Sequence, residues 1–389
     1  MKEILVIDRR LHSMPPLMTV IIPVFNTEKF VLRTLSSLRE DKIMDIEIII
    51  VDDGSEDNSM KVVLDWVNHY KKNVLIIKQK NEGLSEARNT ALRYARGKYI
   101  TFCDSDDWLN FEVVCQAAKY AEVTTAEIVM FRSVTYDDYT QNIEPFYDKK
   151  LWDKALSGAT ELVINSTSHP YVLNFEPNTN CRVIRRDFFE RHINKFKPGI
   201  HYEDVAPHVL SLLKATKIGL IDDVGYYYRI NRSGKITQQR DDKRFDMLTV
   251  AKETLFAISL ISTSPPQKQA IAAILVRMIY WCGMNTRSSD RHEYYHQCIE
   301  LFSKKYIDNR NFLIGAMSTS ESLREIVLMF AMLSGETSFI SSYSAGQRNF
   351  LIKLAFIKCI GCNSGRSSVV FFKKIITKFL SSNLFTKRN

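Results

Sequence analysis

Between residues 18 and 108 the chain alternates apolar runs with amphipathic stretches. Met18–Asn26 is mostly apolar and is interrupted near its end by Pro23, the pattern of a strand buried on both faces. Residues 27–40 then follow a helical period, with Phe30, Leu35 and Leu38 on one face and Thr27 as a capping residue. A second apolar run, Ile46–Asp53, leads into a helix over 57–70 whose inward face is Val62, Val63, Trp66 and Val67. Val74–Lys78 predicts a third strand, residues 81–97 a third helix, and the β-branched and aromatic run from Tyr99 a fourth strand. Further on, Tyr226–Tyr228 reads as a strand with one face in the core. Helices are predicted over 247–260, 267–284, 293–304 and 322–332, with a break at Ser262–Pro266.

Strands and helices in strict alternation with short connections specify an α/β domain around a largely parallel sheet. In such sheets ligands bind beyond the carboxyl ends of the strands. Four polar turns fall there: Pro23–Asn26, Asp52–Ser55, Asn81–Ser85 and Asp104–Asp107. One such turn carries little information, but four on one rim make a pocket. Neither a GxGxxG after the first strand nor a GxxxxGK[ST] is present, so no glycine-rich loop cradles phosphates.

The last turn, Asp104-Ser105-Asp106-Asp107-Trp108, sets three carboxylates in four positions. Such a cluster repels itself unless a positive group sits among them. A hard divalent cation, Mg²⁺ or Mn²⁺, takes oxygen ligands and shares them with substrate phosphates. The turn therefore reads as a metal–diphosphate site.

Charge changes the picture only at the C-terminus. The net charge is +9, and residues 347–389 hold nine basic side chains and no acid, so the rest of the chain is neutral. Within that tail, residues 371–380 place Phe371, Phe372, Ile375, Ile376, Phe379 and Leu380 on one side of a helix and Lys373, Lys374 and Lys378 on the other. A basic amphipathic helix of this kind suits an anionic membrane surface. No basic–aromatic platform accompanies it, so nucleic acid is not an expected partner. The seven scattered cysteines fit a reduced, cytoplasmic protein, and Cys359–Cys362 stands as a lone CxxC without a second ligand pair. The apolar run at Ile4–Ile7 is too short for a signal or a membrane span, and no stretch of about 20 apolar residues occurs.

Four segments, TVIIPVFN, EIIIVDDGSEDNS, NEGLSEARNTAL and GKYITFCDSDDW, stand in order over residues 19–108. In this the chain resembles the nucleotide-binding half of the family 2 glycosyltransferases with the GT-A fold. His201–Asp204 is similar to the family's catalytic Glu-Asp motif, and Tyr226–Thr237 to the Tyr-x-Arg segment that follows it. The resemblance covers about residues 20–240. It implies a GT-A core with a mixed, mostly parallel sheet and a C-terminal helical region.

By the same resemblance, Pro23, Val24 and Asn26 line the base and ribose, and Asp53 accepts from the uracil N3–H. Asp104 and Ser105 lie on the ribose or diphosphate side, Asp106 binds Mn²⁺ or Mg²⁺, and Arg88 stiffens the rim near the diphosphate. Asp204 is the general base, Glu203 contacts the acceptor, and Arg229 and Arg232 reach the leaving diphosphate. Asn180–Arg186 is a looser version of the family's basic acceptor-side segment.

The expected organisation is a nucleotide-sugar half (1–130), an acceptor half (131–245), a helical region (246–346) and a basic tail (347–389). The implied activity is inverting, metal-assisted transfer from a UDP-sugar to a hydroxyl of a glycan or lipid-linked saccharide. Its setting would be bacterial cell-surface glycan synthesis, on the inner face of the cytoplasmic membrane. A non-catalytic nucleotide- or glycan-binding module with a retained fold is the alternative. A nucleotidyltransferase would want a glycine-rich, arginine-containing loop where Pro23–Asn26 stands. Nothing in the sequence fixes the oligomeric state.

Overall fold

A computed structural model of the chain describes residues 4–10, 14–38, 45–70, 73–232 and 242–301. The predicted helix over 322–332, the end of the one over 293–304, the CxxC at Cys359–Cys362 and the basic tail lie outside the described residues. The described residues divide into two compact units. The first is built from residues up to Gln239 together with Glu253–Ile261, the second from Arg240–Lys252 and the residues from Ser262 on.

The first unit is a mixed sheet of eleven strands with helices on it. In chain order the strands are β1 (Ile4–Asp8), β2 (Met18–Val24), β3 (Ile46–Asp52), β4 (Val74–Lys78), β5 (Tyr99–Phe102), β6 (Trp108–Leu109), β7 (Ile128–Asp137), β8 (Ile143–Pro145), β9 (Glu161–Ile164), β10 (Arg182–Arg185) and β11 (Ile218–Ile230). They run β1-β4-β3-β2-β5-β10-β7-β11-β6, with β8 added to β7 and β9 to β11. β2 is parallel to β3 and β5, and β3 to β4. β10 then joins antiparallel to both β5 and β7, carrying the sheet from one half of the unit into the other. β7 runs through residue 130, so the two expected halves share one continuous sheet.

Every residue of β2 and β3 is buried, as their unbroken apolar character requires. Pro23 is tolerated in this central strand for a local reason. Ile21 and Pro23 turn their backbone groups toward β5, but the β2–β5 ladder ends at Ile21–Phe102, so no neighbour needs the missing N–H. The helices of this unit are α1 (Val31–Ser37), α2 (Ser59–His69), α3 (Leu84–Tyr94), α4 (Phe111–Thr124), α5 (Lys149–Leu156), α6 (Arg186–His192) and α7 (Val205–Lys214). α1 starts later than its hydrophobic period suggested. The Thr27 carbonyl accepts from Phe30 and Val31 N–H, while the Thr27 hydroxyl bonds Ser105 at 3.0 Å instead of capping the helix.

The run at Ile4–Ile7 forms the edge strand β1, antiparallel on β4, which its flanking charges did not suggest. At the other end of β2, Gly97 fits against backbone. A Cβ there would stand 2.4 Å from Thr19 N and 2.7 Å from the Met18 carbonyl carbon. Neither atom can yield without moving the central strand. Gly97→Ala is expected to lower stability by about 3 kcal/mol, read as a drop in denaturation midpoint at unchanged m-value.

In the second unit the break at Ser262–Pro266 ends in a capping box. Ser264 N–H donates to Gln267 Oε1 at 2.9 Å, Gln267 N–H returns to Ser264 Oγ, and Pro265 takes the first helical position. The helix that follows runs Pro265–Asn285, and another spans Arg291–Leu301. They pack through Gly283, where a Cβ would meet the Tyr295 hydroxyl at 2.6 Å. A further helix, Asp246–Ser259, precedes them in sequence.

Candidate active site

The parallel register brings the ends of β2, β3 and β4 level: Val24 pairs with Asp52, and Asp52 with Lys78. The first two rim turns are stapled together. Asn26, with a left-handed backbone (φ 50°), donates its N–H to Ser55 Oγ and accepts from Glu56 N–H at 2.9 Å. Asn26 is exposed on this rim, whereas Pro23 and Val24 are buried. Val24 belongs to the core, because successive side chains of a central strand both meet helices; it presents no side chain to a ligand.

Asp53 is a brace. It is 3% exposed. Its Oδ1 accepts from Gln79 Nε2 (2.7 Å) and Glu82 N–H, and its Oδ2 from Gly83 N–H (2.8 Å). The expected uracil acceptor is thereby committed to the turn that opens α3. Asp52 is fully buried and accepts from Ser55 N–H. Ser105 is likewise not on the nucleotide side. It is buried, with its hydroxyl on Thr27 and its carbonyl accepting from Thr34 Oγ1.

The acidic turn sorts its three carboxylates by environment. Asp107 is structural: it is 1% exposed, and its carboxylate accepts from Arg229 N–H (2.7 Å) and the Tyr226 hydroxyl. Burial and the carboxylates of the turn push the Tyr226 phenol well up, so it stays a donor. Asp104 and Asp106 instead pair with arginines. Asp104 Oδ1 accepts from Arg88 Nη2 at 2.8 Å and Oδ2 from Asn180 Nδ2 at 3.0 Å. Asp106 Oδ2 accepts from Arg232 Nε at 2.6 Å. Arg232 is thus placed at the turn. Arg229 is not available to one. It is buried, donates Nε–H to the Asp106 carbonyl and pairs with Asp138. Its guanidinium also lies 5.0 Å from the Phe30 ring centroid and 5.2 Å from that of Trp108.

Glu203 and Asp204 lie at the start of α7, about a hundred residues on in sequence, and the fold brings them to the same place. Arg88 makes the connection. Its Nη1 donates to Glu203 Oε1 at 2.5 Å and its Nη2 to Asp104 Oδ1, with the side chain 2% exposed. Arg88 therefore stiffens the site from beneath and does not stand on the rim. A fully buried guanidinium requires this kind of paired satisfaction, and the adjacent carboxylates hold its pKa above the ordinary value against the cost of burial.

Asp204 occupies the N-cap position of α7 without capping it. Its carbonyl accepts from His208 N–H at 2.9 Å, but its side chain makes no cap bond. Burial, and then the neighbouring Glu203 carboxylate, push Asp204 well above the ordinary carboxylate range, against the pull of Arg88. The chain enters the pair through a strained turn. Tyr202 has φ 63°, a left-handed conformation that costs a bulky residue about 1–3 kcal/mol. The site thus holds an acidic turn able to share a cation with phosphates and, across Arg88, a desolvated carboxylate able to accept a proton.

Sequence reasoning named the segments that begin at Asn180 and Tyr226 but gave neither residue a role of its own, and it did not single out Asp138 or His208. Asn180 is fully buried and donates Nδ2–H to both Asp104 and the Tyr226 hydroxyl. Its segment therefore supports the acidic turn. A buried asparagine two residues before a strand that ends in basic side chains was the one local signal. The five described cysteines, Cys103, Cys115, Cys181, Cys282 and Cys298, are all buried thiols.

Residues 19–192 match the model of the glycosyl transferase family 2. Uncharacterized glycosyltransferase EpsJ of Bacillus subtilis is 29% identical over 219 residues, 56% of this chain and 62% of that protein. Glycosyltransferase GlyG of Streptococcus pneumoniae is 29% identical over 241 residues, 59% of this chain and 75% of that protein. The crystal structure of Staphylococcus aureus TarS 1–349 in complex with UDP-GlcNAc superposes with a TM-score of 0.62 at 18% identity, covering 85% of this chain and 92% of that one. Residues 19–192 of the chain thus carry a glycosyl transferase family 2 domain, and the likeness to TarS shows a GT-A fold.

Proposed function

We propose that this protein is an inverting glycosyltransferase that moves a sugar from a UDP-sugar to an acceptor hydroxyl in bacterial cell-surface glycan assembly. The observation that carries the proposal is the Arg88 bridge. It fixes the acidic turn of the donor side and the Glu203–Asp204 pair of the acceptor side in one site. The donor assignment draws on the TarS complex with UDP-GlcNAc. The setting draws on relatives such as the minor teichoic acid biosynthesis protein GgaB of B. subtilis, 27% identical over 232 residues.

In this reading Asp204 accepts the proton of the attacking hydroxyl as the bond to the sugar forms. Its raised pKa makes it a stronger base than a solvated carboxylate, and among the described residues it has no hydrogen bond to surrender first. Glu203, held by Arg88, orients the acceptor beside it. A single base opposite the leaving group gives inversion with no covalent intermediate.

The donor set suits a divalent cation of the Mn²⁺ or Mg²⁺ type. Among the described residues no three metal-ligating side chains stand together. Asp106, however, already holds a positive partner in Arg232 at 2.6 Å. One carboxylate completed by diphosphate oxygens and water is how such ions are commonly bound. When bound, the ion would neutralise charge on the departing diphosphate as a Lewis acid. Arg232 would be released from Asp106 toward the same diphosphate. No helix among the described residues is long and apolar enough to cross a membrane, and attachment to an anionic surface would fall to the tail.

Release of UDP from a panel of UDP-, GDP- and dTDP-sugars, with and without Mn²⁺, checks the activity. Turnover is expected with a UDP-sugar and metal. No turnover with any donor would favour a binding module instead. Asp106→Asn is expected to weaken Mn²⁺-dependent UDP binding about tenfold or more by calorimetry, leaving metal-free UDP binding within a factor of about two.

A further inference from the structure

Arg182, the first residue of β10, is 2% exposed, and among the described residues no carboxylate hydrogen-bonds to it. Its Nη2 donates to the carbonyls of Glu176 (3.1 Å) and Asn178 (3.2 Å) and to His208 Nδ1 (2.9 Å), while its Nε has no partner. A buried cation with only neutral ligands is costly and persists where the structure uses it.

His208 is equally buried. Because Nδ1 accepts from Arg182, the ring proton sits on Nε2 and donates to the Leu173 carbonyl at 3.2 Å. A second positive charge against Arg182 is excluded, and burial holds His208 neutral. One turn earlier on α7, the Asp204 carbonyl accepts from the His208 N–H. The chain of contacts from Arg182 thus ends on the backbone of Asp204. On its other side Arg182 holds the carbonyl of Asn178, whose side chain accepts from Asn180 N–H; Asn180 in turn bonds Asp104.

We propose that Arg182 and His208 are a positioning unit for Asp204, fixing the first turn of α7 and setting a buried positive charge behind the base. This rests on the reading of Asp204 given above. It assigns Arg182 to the support of the base and not to contact with the acceptor. The charged groups acting on Asp204 are Glu203 beside it, Arg88 from α3, Glu176 from the loop before β10, and Arg182. The two acids raise its pKa and the two arginines lower it.

The test is the pH dependence of kcat for UDP-sugar hydrolysis by the full chain, with UDP affinity measured in parallel. Arg182→Met is expected to lower kcat about 100-fold, keep UDP affinity within about twofold, and move the acid limb up by about one pH unit, because a positive charge that favours the carboxylate is gone. Arg182→Lys keeps the charge and loses the fork, so its acid limb stays in place while kcat falls about tenfold. Should Arg182→Met fail to fold, His208→Phe, which removes the acceptor of Arg182, is expected to lower kcat at constant KM. An unmoved acid limb in Arg182→Met, UDP affinity falling in proportion to kcat, or wild-type kcat in His208→Phe would overturn the proposal. Asp204→Asn separates the two readings. If it abolishes hydrolysis while Arg182→Met behaves as wild type, only the positioning unit is refuted; if it turns over normally, the base assignment itself fails.

Discussion

Asp204→Asn abolishes sugar transfer, lowering kcat by about 10²–10⁴-fold, and leaves UDP affinity nearly intact. The asparagine keeps the shape of the side chain but cannot take a proton. Because the proposed function puts UDP on the opposite rim, calorimetric titration with UDP is the control, and a parallel loss of UDP affinity would place Asp204 on the donor side instead.

The same substitution makes the protein more stable at neutral pH. The folded-state pKa of Asp204 lies above its unfolded value, chiefly through burial. The stabilisation that comes from its protonated form is complete below the unfolded pKa and lost as pH rises through the folded one. At neutral pH the ionised side chain is therefore a cost, and the amide removes it. Tm is expected to rise by about 2–4 °C at pH 7.5 and to match wild type near pH 4. A residue whose removal stabilises the fold and stops the reaction is kept for chemistry.

Arg88→Met has the larger structural effect. It leaves Asp104 and Glu203 without the guanidinium that lies 2.8 and 2.5 Å from them, at a side chain 2% exposed. Breaking a buried pair by removing one partner costs about 3–5 kcal/mol, and the carboxylates left behind are partly exposed, 23% for Asp104 and 11% for Glu203, which puts this case at the lower end. A fall of that size in denaturant stability is expected, together with loss of activity. Arg88→Lys is the informative companion. An ammonium on a flexible stem can neutralise one carboxylate but does not present two parallel donors at a fixed spacing. It is expected to recover most of the stability and little of the turnover, since the two sides of the site are no longer held at one distance.

The strands and helices up to Trp108 were legible because they rest on local periodicity. β2 and β3 are buried on both faces and read as unbroken apolar runs, and Val63 and Val67 on α2 are buried as the helical period requires. The strand-end rim followed from alternation alone. β1 was not legible. Five residues flanked by charge give little pattern, and an edge strand that exposes Ile4, Leu5 and Val6 looks like any short apolar run.

At the site, the acidic turn and Glu203–Asp204 were legible as motifs, but which carboxylate does what was not. Asp53 appeared to be a free rim acceptor because its partners, Gln79, Glu82 and Gly83, lie 26–30 residues away. Arg88 was expected to stiffen the rim near the diphosphate, and its link to Glu203 was not legible because that partner is 115 residues on. Arg229 sat beside a basic loop in sequence and proved to be the buried partner of Asp138. Spacing along the chain cannot express a contact that only the sheet order creates: β4 beside β3 brings Gln79 to Asp53, and β11 beside β7 brings Arg229 to Asp138.

The central claim is that one carboxylate base faces a donor held by the acidic turn, with no covalent sugar–enzyme intermediate. The anomeric configuration of the first-formed sugar, followed by proton NMR during hydrolysis of a UDP-α-sugar, tests it without knowledge of the acceptor. The β anomer is expected to appear first and to equilibrate afterward. Initial release of the α anomer would contradict the account.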